Sequence, residues 1–240
     1  MILTVNIGKD WGKDTNENFD FLSGLFNFLD ENESSATLFI QSQVAEKLHE
    51  IGIPPSVEIA SLGVSGKSFG VLTEDEIAEE IVNSKKSIET IFKTEIFGFR
   101  TPDFFCYENL WSLLRNAGYV YSSSLSNGKK YKELKFGSEP FEKDGITELP
   151  FQKTRFFPFT FNFQFYRRFY PFSKLFVPKE CSLFYYDLTE LLQTFPGSGL
   201  SWKERLLLSI NRGRKARKIL YPFLEENAPT QSIQDALNLK

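Results

Sequence analysis

Apolar, β-branched runs alternate along this chain with stretches in which apolar residues recur every three or four positions. That alternation predicts β/α units around a mostly parallel sheet. Ile2–Ile7 predicts a first buried strand. A loop over Gly8–Asn18 follows, then a helix carrying Phe21, Leu22, Leu25, Phe26 and Leu29 on one face. Ala36–Ile40 and Val57–Ser61 predict two more strands, separated by a short helix, Val44–Ile51, that stops at Gly52. Thr73-Glu-Asp-Glu76 is a capping box opening a helix with Ile77, Ile81, Ile88 and Phe92 near one face. Beyond it come a strand at Ile96–Phe99, a helix over Glu108–Ala117 closed by Gly118, and strands at Tyr119–Leu125, Ile146–Leu149 and Ser182–Tyr186. Phe157–Phe165 alternates aromatic and polar residues, which predicts a strand with one apolar face packed on the sheet. Ser201–Glu204 is a second capping box. It opens a basic helical region containing Arg205, Arg212, Arg214, Lys215, Arg217 and Lys218, weakened or broken at Gly213.

No internal repeat or long linker interrupts this order. The expectation is one domain over 1–240, with a basic helical C-terminal region at 201–240 and a polar insertion at 126–144 whose Lys129, Lys130 and Lys132 are solvated. A hydrophobic content of 41% with 25% charged residues suits a soluble globular protein. The net charge of −3 gives no sign of a nucleic-acid partner, which needs a strongly basic face. No run of about 18 apolar residues is present to span a membrane, and the chain opens into a strand instead of a signal peptide. The two isolated cysteines, Cys106 and Cys181, fit a reducing compartment, so residence in the cytoplasm is expected. Phe is the unusual entry in the composition, at 26 residues beside nine Tyr and three Trp.

Several separated stretches carry a family resemblance. They are Leu3-Thr-Val-Asn6-Ile-Gly-Lys-Asp10-Trp11, Ala36-Thr-Leu-Phe-Ile40, Glu58-Ile-Ala-Ser-Leu62-Gly-Val-Ser-Gly66 and Gly98-Phe-Arg-Thr-Pro102. Asn109–Leu114 and Ala117–Ser124 extend the last of these. In this order and spacing the chain resembles the polysaccharide deacetylases, the NodB-homology or carbohydrate esterase 4 family, over essentially its whole length. The resemblance implies a distorted (β/α) barrel with its active site at the C-terminal ends of the strands. Family chemistry is metal-assisted amide hydrolysis. A divalent ion such as zinc, held by an Asp and two His, activates water, an adjacent Asp acts as base, and a late His protonates the departing amine.

Mapped through that resemblance, Asp10 matches the metal-binding Asp, while Leu62 and Gly66 stand where the two histidine ligands belong. Asn6 takes the place of the base, and an amide takes up no proton at neutral pH. Tyr185 or Tyr186 falls where the late His is expected, and Arg100, which orients the base in the family, is kept with Pro102. Each acid or base normally contributes about 100- to 10,000-fold in rate, and a zinc site needs about three protein ligands. The resemblance therefore implies a pseudoenzyme with its cofactor lost, Asp10 being the one retained ligand position. A rebuilt site would draw on Asp103, Cys106, Glu148 and Asp187, although each has a plainer reading: Asp103 starts a helix, Cys106 fills the core, Glu148 and Asp187 hydrogen-bond in loops. His49, among charged neighbours on a helix, reads as a surface residue.

Three functional readings stay open. The first is a protein of surface or exopolysaccharide metabolism that binds an N-acetylated or lipid-linked glycan, or an enzyme partner. Its glycan-binding candidates are Asp10, Trp11, Arg100, Pro102, Phe163, Phe165 and Arg167, with Arg168 beside them. The second is an active hydrolase of amide C–N bonds with an atypical metal site, and the third a structural subunit of a polysaccharide assembly machine. The aromatic segment and the basic C-terminal helix would also permit peripheral membrane contact. The oligomeric state is not legible.

Overall fold

The structure, a computed structural model, describes residues 1–8, 15–126, 139–157, 159–179, 181–193 and 201–239, the side chains of 15–19, 203 and 204 excepted. Asp10 and Trp11, and most of the predicted loop 8–18 and polar insertion 126–144, lie outside these residues.

Among the described residues eight strands form one sheet: β1 (Ile2–Ile7), β2 (Ala36–Ile40), β3 (Val57–Ser61), β4 (Gly98–Phe99), β5 (Tyr121–Ser122), β6 (Phe141–Lys143), β7 (Ile146–Glu148) and β8 (Leu183–Asp187). Their order across the sheet is β6-β7-β5-β4-β3-β2-β1-β8, and every pairing is parallel except β6 with β7. The sheet curls into a half-barrel, the deacetylase-type barrel expected from the sequence. The helices are α1 (Thr15–Glu31), α2 (Ala45–Ile51), α3 (Glu74–Phe92), α4 (Leu110–Asn116), α5 (Phe163–Phe169), α6 (Trp202–Ser209), α7 (Arg214–Glu226) and α8 (Ile233–Ala236). Among the described residues no helix is long and apolar enough to cross a membrane.

Period-two alternation sorts each strand into two faces. Leu3, Val5 and Ile7 of β1, Leu38 and Ile40 of β2, and Phe184 and Tyr186 of β8 join the large core between sheet and helices. Thr4 and Asn6, Thr37 and Phe39, Glu58 and Ala60, and Tyr185 and Asp187 take the other, concave face. The N-terminal end of that concavity is closed by α8, whose Ile233 and Gln234 amides donate to Thr37 Oγ1 (2.8 Å) and Glu58 Oε2 (2.9 Å). Tyr121 lies across Gly98, where a Cβ would meet its ring at 2.0 Å, and donates to Glu58 Oε1 at 2.6 Å. Only glycine lets β4 pass beneath that ring.

The capping box at Thr73 is present in both directions, Glu76 N donating to Thr73 Oγ1 and Thr73 N to Glu76 Oε2. Two expectations need correction. Phe163–Phe169 is helix α5, because Asn162 caps it by accepting from Phe165 N at 2.7 Å, so the alternating segment is no continuous strand. The tail of the polar insertion holds strand β6, turned onto β7 through Asp144 and Gly145, both at positive φ. The basic C-terminal region breaks at Gly213 as expected, Asn211 and Gly213 at positive φ separating α6 from α7.

Candidate functional site

Arg100 leaves the end of β4 and points into the concave face, fully buried. Its Nε donates to the Ser123 carbonyl (2.9 Å), Nη1 to Asn6 Oδ1 (2.7 Å), and Nη2 to Thr4 Oγ1 (3.1 Å) and Ser123 Oγ (2.9 Å). The guanidinium lies 3.9 Å from the Phe39 ring centre and 4.9 Å from that of Phe151, with Tyr185 and Phe104 at 5.6 and 5.9 Å. Aromatic faces and neutral oxygens thus hold a buried cation, and no ion pair to it occurs among the described residues. Desolvation draws its pKa down to about 9, so it remains charged at neutral pH.

Asn6 converts this cation site into a relay. Its amide oxygen accepts from Arg100, leaving its NH2 to hydrogen-bond Asp187, which faces it across the β1–β8 pairing. Burial, then the neighbouring Glu190 charge, pushes the Asp187 carboxyl up to about 7, against lowering by Asn6, Arg100 and Arg212. Asp187 is therefore a member of the site, which its plainer reading as a loop hydrogen bonder missed. The available signal was phase, because Leu183, Tyr185 and Asp187 must share one face of β8.

The two positions that the resemblance assigns to histidine ligands carry no side-chain donor. Leu62 is buried in a cluster with Phe39, Ala60, Tyr121, Leu149 and Ile233. Gly66 sits at φ +66°, and a Cβ there would stand 2.3 Å from Gln41 Nε2. Gln41, in phase with Phe39 just past β2, thus fills the space that a side chain at 66 would need, whereas a Cβ at Gly8 would meet its amide only at an ordinary 3.5 Å. Glu80 of α3 accepts from Val64 N (2.8 Å) and Ser65 N (3.0 Å), holding the turn in this form. Among the described residues no group of three or more His, Cys, Asp or Glu stands close enough to hold a metal. The donor set does not fit the family's ion.

The two late tyrosines part company. Tyr186 faces outward into the core, 6.1 Å from Phe163. Tyr185 faces inward, its ring 4.5 Å from Phe151 and 5.1 Å from Phe104, and accepts from Asn162 Nδ2 at 2.8 Å. Phe104 is half-buried and held at φ +56°, an uncommon conformation for a bulky side chain. With Pro102, also half-buried, it borders the site.

Other candidates are placed elsewhere. Phe163 is buried in the core, and Phe165 stacks in an aromatic cluster with Phe169 (4.5 Å) and Phe176 (5.7 Å). Arg167 is not presented to a ligand: it is fully buried, pairs with Glu190 at 2.6 Å and donates to the carbonyls of Leu208 and Ile210. Glu148 is structural, accepting from Trp111 Nε1 (3.1 Å) and the amides of Ser124 and Leu125 (2.8 Å each). Cys106 is buried, with its thiol pushed up by desolvation. Asp103 is exposed and accepts from Ser68 Oγ and Phe105 N, well before α4 starts. His49 is exposed on α2 beside Phe92.

No family model matches this chain, and no curated protein sequence matches it. Solved structures do. A family 4 carbohydrate esterase from Streptomyces lividans, in complex with acetate, superposes at a TM-score of 0.51 and 14% identity, covering 93% of this chain and 88% of its own. A pseudoenzyme of the same family from Bacillus anthracis superposes at 0.52 and 10% identity, over 98% of this chain and 65% of its own. A mutant of that pseudoenzyme with restored enzymatic activity gives 0.53. The chain thus spans somewhat less than two thirds of the pseudoenzyme. At these identities the likeness defines the fold: this chain has the half-barrel of the carbohydrate esterase 4 polysaccharide deacetylases.

Proposed function

We propose that this chain is a divergent polysaccharide deacetylase-like protein that has given up hydrolysis and binds an N-acetylated glycan at the C-terminal ends of its strands. The observation that carries this reading is the replacement of ligand positions by packing: Leu62 lies in an apolar cluster and Gln41 covers Gly66. Asn6 cannot act as a base, and it bridges Arg100 to Asp187 where a carboxylate would make a direct ion pair. What remains at the strand ends suits sugar recognition. Phe104, braced from beneath by the buried Tyr185, offers a ring face for the apolar side of a pyranose, and Asp187 offers a carboxylate to its hydroxyls.

The fold's occurrence in a pseudoenzyme supports the separation of this scaffold from its chemistry. Titration calorimetry with chitooligosaccharides tests the reading. Binding without acetate release is expected, weakened about tenfold or more by Phe104→Ala and by Asp187→Ala. Binding that both variants leave unchanged would remove the strand ends from the account.

A further inference from the structure

The Phe-rich segment does not belong to the strand-end site. Residues 149–179 contain ten of the 26 Phe, and their charges are six basic residues with no acidic one, in a chain of net charge −3. The bridge between Lys153 and Thr160 makes a narrow hairpin, fastened by Thr154 N to the Phe159 carbonyl (2.8 Å) and by Thr154 Oγ1 to that of Phe157 (2.7 Å). Arg155 N donates to the Phe176 carbonyl (3.0 Å), which ties the hairpin to the turn after α5. Together they expose Phe156 (62%), Phe172 (68%) and Leu175 (61%), with Phe157, Phe159, Phe169 and Tyr170 about half exposed. Beneath these tips, Phe157, Phe159, Phe165, Phe169 and Phe176 form a connected stack with ring centres 4.5 to 6.1 Å apart.

Such a cluster of exposed apolar tips on a rigid base is uncommon on a protein surface that faces water alone. Lys153, Arg155 and Lys179 are exposed around it, Arg155 lying over the Phe156 ring, while the exposed Lys174 is paired with Glu226 of α7. We propose that this surface docks on an anionic lipid bilayer, the Phe and Leu tips entering the acyl boundary while the basic side chains meet the headgroups. The charge pattern selects this occupant. Protein interfaces are depleted of Lys, whereas basic residues rimming apolar tips, with no acidic neighbour in the segment, match an anionic headgroup layer. Arg167, bonded to the last carbonyls of α6, brings the end of a second exposed apolar strip, Trp202, Leu206 and Leu207, to the same helix α5.

The test is co-sedimentation of the full chain with vesicles of phosphatidylcholine alone and of phosphatidylcholine with phosphatidylglycerol. It compares wild type with F156S/F172S/L175S and with K153Q/R155Q/K179Q, all changes at exposed positions. Circular dichroism and thermal midpoint confirm that both variants fold. The expected result is binding to the anionic vesicles that weakens with added salt and falls at least about tenfold in each variant. No retention of the wild type, or equal retention of wild type and the apolar variant, would overturn the proposal. So would a self-associated form in analytical ultracentrifugation that the apolar variant dissociates while vesicles stay unbound, since the patch would then join two copies. Chitooligosaccharide binding is read separately, so loss of the glycan site and loss of membrane docking are distinguishable.

Discussion

Gly66 and Gln41 show how firmly a position that the family resemblance assigns to a ligand is closed. Placing a histidine at 66 requires a left-handed backbone for an L residue and displacement of the Gln41 amide. Gly66→His should therefore lower stability by about 1–3 kcal/mol in chemical denaturation, and pairing it with Leu62→His should not recover zinc binding while Gln41 stays. Asp187 makes a second prediction. Its carboxyl is raised from 3.8 to about 7 in the fold, so between these values the folded protein holds a proton that the unfolded chain has released. Its contribution to stability is full below about pH 4 and is lost as pH rises through 7. Asp187→Asn should flatten the decline of the thermal midpoint across that range. A residual slope will persist, because burial raises the Glu58 and Glu148 carboxyls in the same sense. An unchanged profile in the variant would mean that Asp187 is already ionised at low pH.

At the scale of elements, Asn162 decides the path of the chain after the hairpin. It caps α5 and also donates to Tyr185, joining the helix start to the site wall. Asn162→Ala should cost about 1–2 kcal/mol, measured by urea unfolding, with Asn162→Asp recovering the cap and leaving the Tyr185 hydroxyl to donate in place of accepting. This element also marks where the sequence misleads. Phe157–Phe165 carries period two, but two of its rings sit on a turn, two in the core, and one on a helix face. Periodicity reports spacing, and here a capping side chain overrides it. Asp144-Gly145 was a readable turn between short strands, hidden within a polar stretch. By contrast, the capping box at Thr73 and the C-terminal Gly52 were legible because each acts within four residues.

At the scale of the whole molecule, the alternation of strands and helices made the barrel legible, since buried parallel strands need apolar runs separated by crossovers. The make-up of the site was only half legible. Leu62, Gly66 and Asn6 could be named from position, whereas Gln41, Ser123 and Phe104 reach Gly66, Arg100 and Tyr185 respectively only when the fold brings segments distant in sequence together. The same closure assigns the C-terminus a structural role. Residues 230–239 add a bridge beside β1 and seat Ile233 and Gln234 on Thr37 and Glu58. Removing the chain from 230 onward should cost at least about 3 kcal/mol, from lost burial of Ile233 and loss of the amide bonds to Thr37 and Glu58, measured as a lowered denaturation midpoint. The central claim is that packing has replaced the catalytic metal centre. Elemental analysis of the full chain after zinc loading and dialysis tests it most directly: the account predicts far less than one zinc per chain, and near-stoichiometric zinc accompanied by acetate release from chitooligosaccharides would contradict it.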